Sequence, residues 1–453
     1  MSQALNRTNY DAPAPAVRLV HVGLGAFHRA HQVWYTEKSD PSWGYASFTG
    51  RSAGVADALK PQDGLYTLVT RSGDGDSPEV ITSLVEAQPA TNLERFKELV
   101  ASEEVAVITL TVTEAGYHLA EDGSLNTSSP DVISDLAALK AGDPESLDTA
   151  AGRIIAGLQA RRAAGLGGIA VMSCDNVAEN GPLTQASVCG MAREVDPELA
   201  EWIEEEVTFP STSIDRITPA TTDELIADVE QQTGFADQAP VVTEPFASWV
   251  IEGGFPAGRP EWERAGAIFV DDIEQFERRK LWLLNGSHSL MAYYGQLKGY
   301  DTVAEAINDD DVRARVNQLW DEAAHHLTAD GLDVPGYREQ LIERFENPRI
   351  RHNLAQIAID GGTKQRMRAV PIMKAELAAG RDGAGAALSI ASWVEYILRA
   401  DEIQDARAAE LDQARKDADP VKALVAALDE DLANNEQALA LIRSINGDLK
   451  ELS

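Results

Sequence analysis

Residues 280–288 read Lys-Leu-Trp-Leu-Leu-Asn-Gly-Ser-His and gather an amine, an amide and an imidazole within nine positions. On a regular helix, at about 100° per residue, positions 280, 284 and 288 share one face and Asn285 lies at its edge. Trp282, Leu283 and Leu290 supply apolar cover on the other sides. A lysine set among apolar side chains loses proton affinity, which is what a neutral general base requires. The same spacing describes an amphipathic helix whose polar face meets solvent, and the nine residues alone favour that plainer reading.

A second group of residues suits a nucleotide. Val20-His-Val-Gly-Leu-Gly-Ala-Phe-His-Arg-Ala-His31 sets Gly23 and Gly25 between a short apolar run and a helical stretch. Such a turn lets backbone amides approach a pyrophosphate at a helix N-terminus. The third glycine of the dinucleotide fingerprint is His28 here, so a tight turn between packed elements is the competing reading. The ribose-reading residue is expected after the second strand, where Asp or Glu favours NAD and Arg accommodates a 2′-phosphate. That strand ends Phe48-Thr-Gly-Arg-Ser-Ala-Gly54, with Arg51 its first charged side chain and no carboxylate before Asp57. This leans toward NADP, or toward either cofactor, although Arg51 equally suits a solvated loop. Tyr294 and Lys298 match the Tyr-x-x-x-Lys pair of short-chain dehydrogenases, but they stand too far beyond the glycine turn and read as coincidence.

The elements that must position these residues fall into two regions. The N-terminal part alternates strands (17–22, 45–49, 65–69, 80–85, 105–112, 168–172) with helices (27–38, 92–101, 150–164). That alternation predicts a parallel sheet with helices on both faces. After about residue 276 strand signals vanish and helical segments run to the end, the last, from Asp419, reading as an acidic amphipathic helix pair. The expected architecture is an α/β Rossmann-type domain over residues 1–275 and a mostly α-helical domain over 276–453.

Composition narrows the partners. The 453 residues carry 73 acidic and 39 basic side chains, a formal charge of −34. Such a field repels nucleic acid and anionic membrane. No window approaches the ~20 apolar residues of a membrane span. Cys174 and Cys189 make neither a disulfide framework nor a zinc spacing, and no metal is expected. His325-His326 has no matching ligands and reads as an exposed helix pair. The first 16 residues are polar and lack a signal-peptide core, so a cytoplasmic location is expected.

Lys280-x4-Asn285-x2-His288 and the 23–31 segment do not stand alone. With Gln62-Asp-Gly-Leu-Tyr-Thr-Leu-Val69, Thr111-Val-Thr-Glu-Ala-Gly-Tyr117, Val171-Met-Ser-Cys-Asp-Asn176, Ser213-Ile-Asp-Arg-Ile-Thr-Pro219 and Ile357-Ala-Ile-Asp-Gly-Gly-Thr-Lys364, the chain resembles the polyol-specific long-chain dehydrogenases. The likeness is near full length. It implies metal-free hydride transfer between a secondary alcohol and NAD or NADP. By resemblance Lys280 is the general base, Asn176 and Asn285 hold the developing alkoxide, and His288 orients substrate hydroxyls. Both roles are physically apt, since a base near neutrality moves protons at working pH and amide donors stabilise an oxyanion. Asp215 and Lys364 match substrate-binding positions, although Asp215 is also able to pair with Arg216. The nucleotide side falls to Gly23, Gly25, Phe27, Arg51, Thr113 and Glu114. Glu114 is also a candidate for a proton path from the lysine, with structural pairing as the alternative. Cys174 and Asp175 read as packing and turn residues that place Asn176.

The chain departs from the mannitol enzymes at Gln356, where some of them carry Arg. The run from Gln356 to Arg366 looks more like the uronate reductases, in which Arg366 or Arg368 could clamp a substrate carboxylate. A polyol such as mannitol or arabinitol is the first expectation and a uronate, as in fructuronate reductase, the second. The rival from another class is a non-catalytic nucleotide-binding sensor, against which the complete Lys/Asn/Asn/His set argues. A monomer or small homo-oligomer is expected.

Overall fold

The computed structural model describes residues 2–142 and 144–452, and the chain divides into two compact units at Ile273/Glu274. In the first unit the apolar runs form strands β1 (Ala16–Val22), β2 (Trp43–Phe48), β3 (Leu84–Gln88), β4 (Val107–Leu110) and β5 (Ala170–Ser173). All pair in parallel, in the order β3-β2-β1-β4-β5. Their side chains alternate between two cores, as a period of two requires. Val20, Val22, Phe48, Ile108 and Leu110 face Phe96 and Val100 of helix α2 (Leu93–Val100) and Ile154, Ile155 and Leu158 of α3 (Ala150–Ala163). Leu19, Tyr45, Val107 and Met172 face Ala30, Val33 and Tyr35 of α1, a continuous helical run over 26–39. A sheet covered on both faces reads as unbroken apolar runs, which is why these strands are visible in the sequence.

Two expected strands resolve differently. The segment around 65–69 becomes the strand Tyr66–Ser72 of a separate sheet, between Gly75–Ile81 and Val241–Thr243. The single strand expected over 80–85 is two strands, broken at Thr82 and Ser83. There the Glu37 carboxylate accepts both backbone N–H groups and both hydroxyls, diverting them from any ladder. A third sheet of Ser211–Asp215, Ser248–Glu252 and Ile268–Val270 was not foreseen.

No strand occurs after Val270 among the described residues. The second unit opens with α4, helical over 274–295, followed by α5 (Asp310–Ala324), α6 (Val334–Glu346), α7 (Leu354–Ala358), α8 (Gly361–Met367), α9 (Ala369–Ala378) and α10 (Ala384–Arg399). Gly385 lets α10 lie directly on α5, since a Cβ there would stand 2.8 Å from the Leu319 nitrogen. The expected terminal helix pair is three helices, Pro420–Leu428, Glu430–Asn434 and Glu436–Leu449. Asp429 and Asn435 each end one helix and cap the next by accepting from a backbone N–H, which breaks what looked continuous. No described helix is long and apolar enough to cross a membrane.

Candidate active site

Helix α4 is not a regular helix. It widens into π-turns at Lys280–Asn285 and again at Met291–Gly295. A π-turn bonds i to i+5, which brings Asn285 nearer the face of Lys280 than a regular helix would. Leu284, expected beside Lys280, is buried in the core. Widening leaves carbonyls without their usual partners, and side chains take them up. Trp320 Nε1 donates to Leu283 O at 2.8 Å, and the Ser287 hydroxyl reaches Leu283 O at 2.6 Å and Leu284 O at 2.9 Å. Arg368 Nη1 donates to Asn285 O at 3.0 Å and to Ser289 Oγ at 2.9 Å. Residues 282–284 and 286–290 are buried, and Lys280, Leu281 and Asn285 are half-buried.

His288 is buried against the rings of Phe345, at 5.0 Å, and His352, at 4.8 Å. Burial pushes its pKa well below the usual imidazole range, and the charges of His352, Arg344, Arg368 and Lys364 push the same way. The ring is therefore neutral at working pH, and burial lowers the neighbouring His352 as well. Partial burial holds Arg368 down to about 10. Burial also lowers Lys364, whose ammonium donates to Ile357 O at 2.9 Å and Ile359 O at 2.6 Å and so ties the end of α7 to α8. Between them Gly361 is required, because a Cβ would stand 2.1 Å from the Tyr293 hydroxyl. Of the two arginines offered for a carboxylate, Arg366 is exposed, whereas Arg368 reaches the helix of Lys280 and Asn285. Gln356 is exposed on α7.

In the first unit the candidates for the nucleotide share one edge of the sheet. Gly23, Arg51, Thr113 and Asn176 each follow the carboxyl end of a parallel strand, β1, β2, β4 and β5 respectively. The strand order reverses at β1, with β2 on one side and β4 on the other, and ligands of open α/β sheets bind at such a switch point. Gly23 has φ +110°, and a Cβ there would stand 2.0 Å from Thr111 O. Gly25 has open space at the same position, its nearest neighbour being Gly23 O at 3.6 Å, and it begins α1. The turn therefore fits a dinucleotide phosphate. Phe27 is half-buried and stacks on His31 at 5.0 Å; Arg51 and Glu114 are exposed.

Asp175 organises the neighbouring loop. Its carboxylate accepts from Val112 N at 3.0 Å, Thr113 N at 2.9 Å and the Tyr117 hydroxyl at 2.7 Å. Thr113, at φ +68°, is thereby held in a conformation that costs about 1–3 kcal/mol. Asn176 follows, exposed, while Cys174 is buried. Asp215 ends the strand Ser211–Asp215 half-buried; beside it Arg216 donates to Glu244 O and Ala30 O and lies 4.3 Å over the Trp34 ring.

Two side features resolve as structure. Tyr294 and Lys298 both bond Asp311, with Lys298 also on Asp309 at 2.9 Å. His325 and His326, expected to be a plain exposed pair, both bond the buried Glu376, at 3.2 and 2.6 Å, together with Arg381. Sequence reasoning did not reach His352, Arg344, Trp320 or Thr111 as neighbours of the candidate residues. The first three come from ordinary segments of the helical unit and carry no local signal.

Comparison with known proteins extends this picture. Residues 17–264 match the mannitol dehydrogenase Rossmann domain, and residues 272–452 match the mannitol dehydrogenase C-terminal domain. D-mannonate oxidoreductase of Escherichia coli (strain K12) is 39% identical over 408 residues, covering 87% of this chain and 83% of its own. The Pseudomonas fluorescens mannitol 2-dehydrogenase, solved as a ternary complex with NAD and D-mannitol, is 32% identical with a TM-score of 0.76, over 99% of this chain and 97% of that one. A substrate-free D-sorbitol dehydrogenase is 28% identical with a TM-score of 0.88, over 98% and 99%.

Proposed function

This chain belongs to the mannitol dehydrogenase family, and from that premise we propose that it interconverts a sugar alcohol and its ketose, mannitol with fructose or arabinitol with xylulose. The observation that carries the reading is the π-turn at 280–285, which brings an amine and an amide, both half-buried, together where residues 282–284 and 286–290 are buried. A nicotinamide dinucleotide bound at the Gly23–Gly25 turn supplies the hydride acceptor. Lys280 Nζ takes the hydroxyl proton as the C–H bond breaks, and returns it in the reducing direction. The carboxamides of Asn285 and Asn176 donate to the oxygen as negative charge builds, an electrostatic contribution that needs no reorganisation if they are held in place. Arg368, on the main-chain carbonyl of Asn285, steadies the backbone that carries one of them. Neutral His288, Asp215 and Lys364 are assigned to the remaining substrate hydroxyls. For the cofactor, Gly23, Gly25, Phe27, Thr113 and Glu114 line the nucleotide side. Arg51 is placed to decide between NAD and NADP.

A second reading is favoured by one observation, the Arg368 guanidinium seated on Asn285 O and Ser289 Oγ, on either side of neutral His288, in a chain of charge −34. That arrangement complements a carboxylate and suits a sugar acid of the fructuronate/mannonate kind. Cofactor absorbance followed with mannitol, arabinitol, sorbitol, fructuronate and mannonate, under NAD(H) and NADP(H), tests both. Turnover of a polyol supports the first reading, turnover confined to the acids supports the second, and cofactor binding without turnover of any of them would leave a sensor.

A further inference from the structure

Beneath the glycine turn lie three histidines that the proposed chemistry does not use, His21, His28 and His31, all fully buried. Their hydrogen positions follow from their partners. The Thr111 hydroxyl lies 2.9 Å from Gly23 O, and a carbonyl only accepts, so the hydroxyl donates there. Its oxygen must then accept from His21 Nε2 at 3.0 Å, and the bare His21 Nδ1 takes the Thr109 hydroxyl proton at 2.8 Å. A second relay ends on another carbonyl. His31 Nε2 donates to Ser248 O at 3.0 Å, so its Nδ1 accepts from Gln32 Nε2 at 3.0 Å. Gln32 Oε1 in turn accepts from His28 Nδ1 at 3.1 Å, and His28 Nε2 accepts the Ser47 hydroxyl proton at 2.9 Å. Burial keeps His21 and His28 neutral, which fixes these directions, and His31 carries its proton on Nε2 because its Nδ1 accepts from Gln32.

The two relays meet face to face. The rings of His21, on β1, and His28, on α1, stack at 3.4 Å and 5°. His28 occupies the position of the fingerprint's third glycine, whose ordinary office is to let helix and strand pack closely. Here two stacked rings set that spacing. The first relay then pins the turn itself. Gly23 N and Leu24 N both donate to Phe48 O at 2.8 Å, and Gly23 O takes the Thr111 hydroxyl, so the peptide linking Gly23 to Leu24 is held at both ends. That peptide leads directly into Gly25 and the unpaired N–H groups at the start of α1.

We propose that Thr111, oriented by His21, is a positioning residue for the dinucleotide: its hydroxyl fixes the Gly23 carbonyl and thereby aims the amides that receive the pyrophosphate. The stacked His21–His28 pair stands in for the missing glycine. This rests on the reading that a nicotinamide dinucleotide binds at Gly23–Gly25. Thr111→Val keeps the shape and removes the hydroxyl. It is expected to weaken NAD(H) or NADP(H) binding, measured by titration calorimetry on the folded protein, about tenfold, equivalent to ~1.4 kcal/mol. The KM for cofactor should rise in step, more than any change in kcat, while the KM for the sugar substrate stays within about twofold. Thr111→Ser should restore binding. A merely structural threonine would lower the melting temperature and leave the Kd of the folded protein where it was. Binding by Thr111→Val within about twofold of the parent, or failure of serine to rescue, overturns the proposal. If the valine variant does not fold, Thr111→Ala removes the same hydroxyl and is judged by the same outcomes. Absence of dinucleotide binding by the unaltered protein would instead refute the reading on which the proposal rests.

Discussion

Asp175 offers a substitution whose cost can be worked from the hydrogen bonds on either side of it. In Asp175→Ala the backbone N–H groups of Val112 and Thr113 lose their acceptor, whereas the Tyr117 hydroxyl keeps Ser173 Oγ at 2.6 Å. A donor left unsatisfied costs about 1–3 kcal/mol. Thr113 is exposed enough to recover water, so roughly 2–4 kcal/mol is expected in total. Relaxation of Thr113 from φ +68° offsets part of this, and the offset is itself a movement of the loop. Asp175→Asn behaves differently. Its oxygen can still take both amides, and its NH2 can donate to Tyr117, whose own proton turns to Ser173. Only charge assistance is lost, about 1–1.5 kcal/mol. At about 2 °C per kcal/mol for a unit of this size, alanine should lower the melting temperature by roughly 4–8 °C and asparagine by roughly 2–3 °C. Because Asn176 is the next residue and small misplacements cost about 100-fold, kcat/KM should fall on that scale for alanine and less than tenfold for asparagine. Circular-dichroism melts and steady-state rates on both variants decide it. Equal losses would refute the Tyr117 rearrangement, and a shift under about 1 °C for alanine would show that the carboxylate does not hold the turn.

Three other expectations follow from the same geometry. Lys280→Ala should lower turnover by about 10³ or more and leave cofactor Kd within about twofold, and EDTA should not change the parent's rate; full activity in the variant sinks the base assignment. Arg368→Lys, which keeps charge but loses the planar fork, should reduce kcat about tenfold by loosening Asn285, and an unchanged rate would show that this bond positions nothing. The pKa of His21 is lowered by burial to about 3, and those of His28 and His288 are driven well below 6.5. A folded pKa below the unfolded one means that the unfolded chain binds protons first. Stability is thus complete above pH 6.5 and falls as pH drops toward the folded values, by up to ~1.4 kcal/mol per pH unit per histidine. The urea midpoint should therefore decline between pH 6.5 and 5, and a flat profile there argues against buried neutral rings.

What could be read in the chain beforehand follows the reach of each signal. Gly23 and Gly25 were legible because a strand, a turn and a helix are contiguous, and the buried strands announced themselves as apolar runs. The strand Ser211–Asp215 was not, because Ser-Thr-Ser-Ile-Asp offers too few apolar positions to set a period. The π-turn at 280–285 was invisible for a different reason. Its stability lies with Trp320 and Arg368, 37 and 83 residues from the carbonyls they hold, so a regular period turned Leu284 toward Lys280 and pushed Asn285 aside. Arg366 and Arg368 could not be ranked from sequence, since two residues apart near a helix end point in nearly opposite directions. The bond of His325 and His326 to Glu376 was out of reach because Glu376 comes from α9, fifty residues on.

The widened turn also sets the terms on which this helix can change over generations. Closing on i+5, it carries a residue that a regular helix would not need. Deleting one residue between 281 and 284 lets the backbone close on i+4 and regain bonds now lent by Ser287, Trp320 and Arg368. Asn285 would then stand four residues beyond Lys280, which a regular helix also keeps on one face, so that pair survives the deletion. What the deletion removes is the set of displaced carbonyls that now receive Ser287, Trp320 and Arg368. The extra residue therefore ties this helix to its neighbours, and its loss would be felt in the seating of Trp320 and Arg368 before it was felt between Lys280 and Asn285.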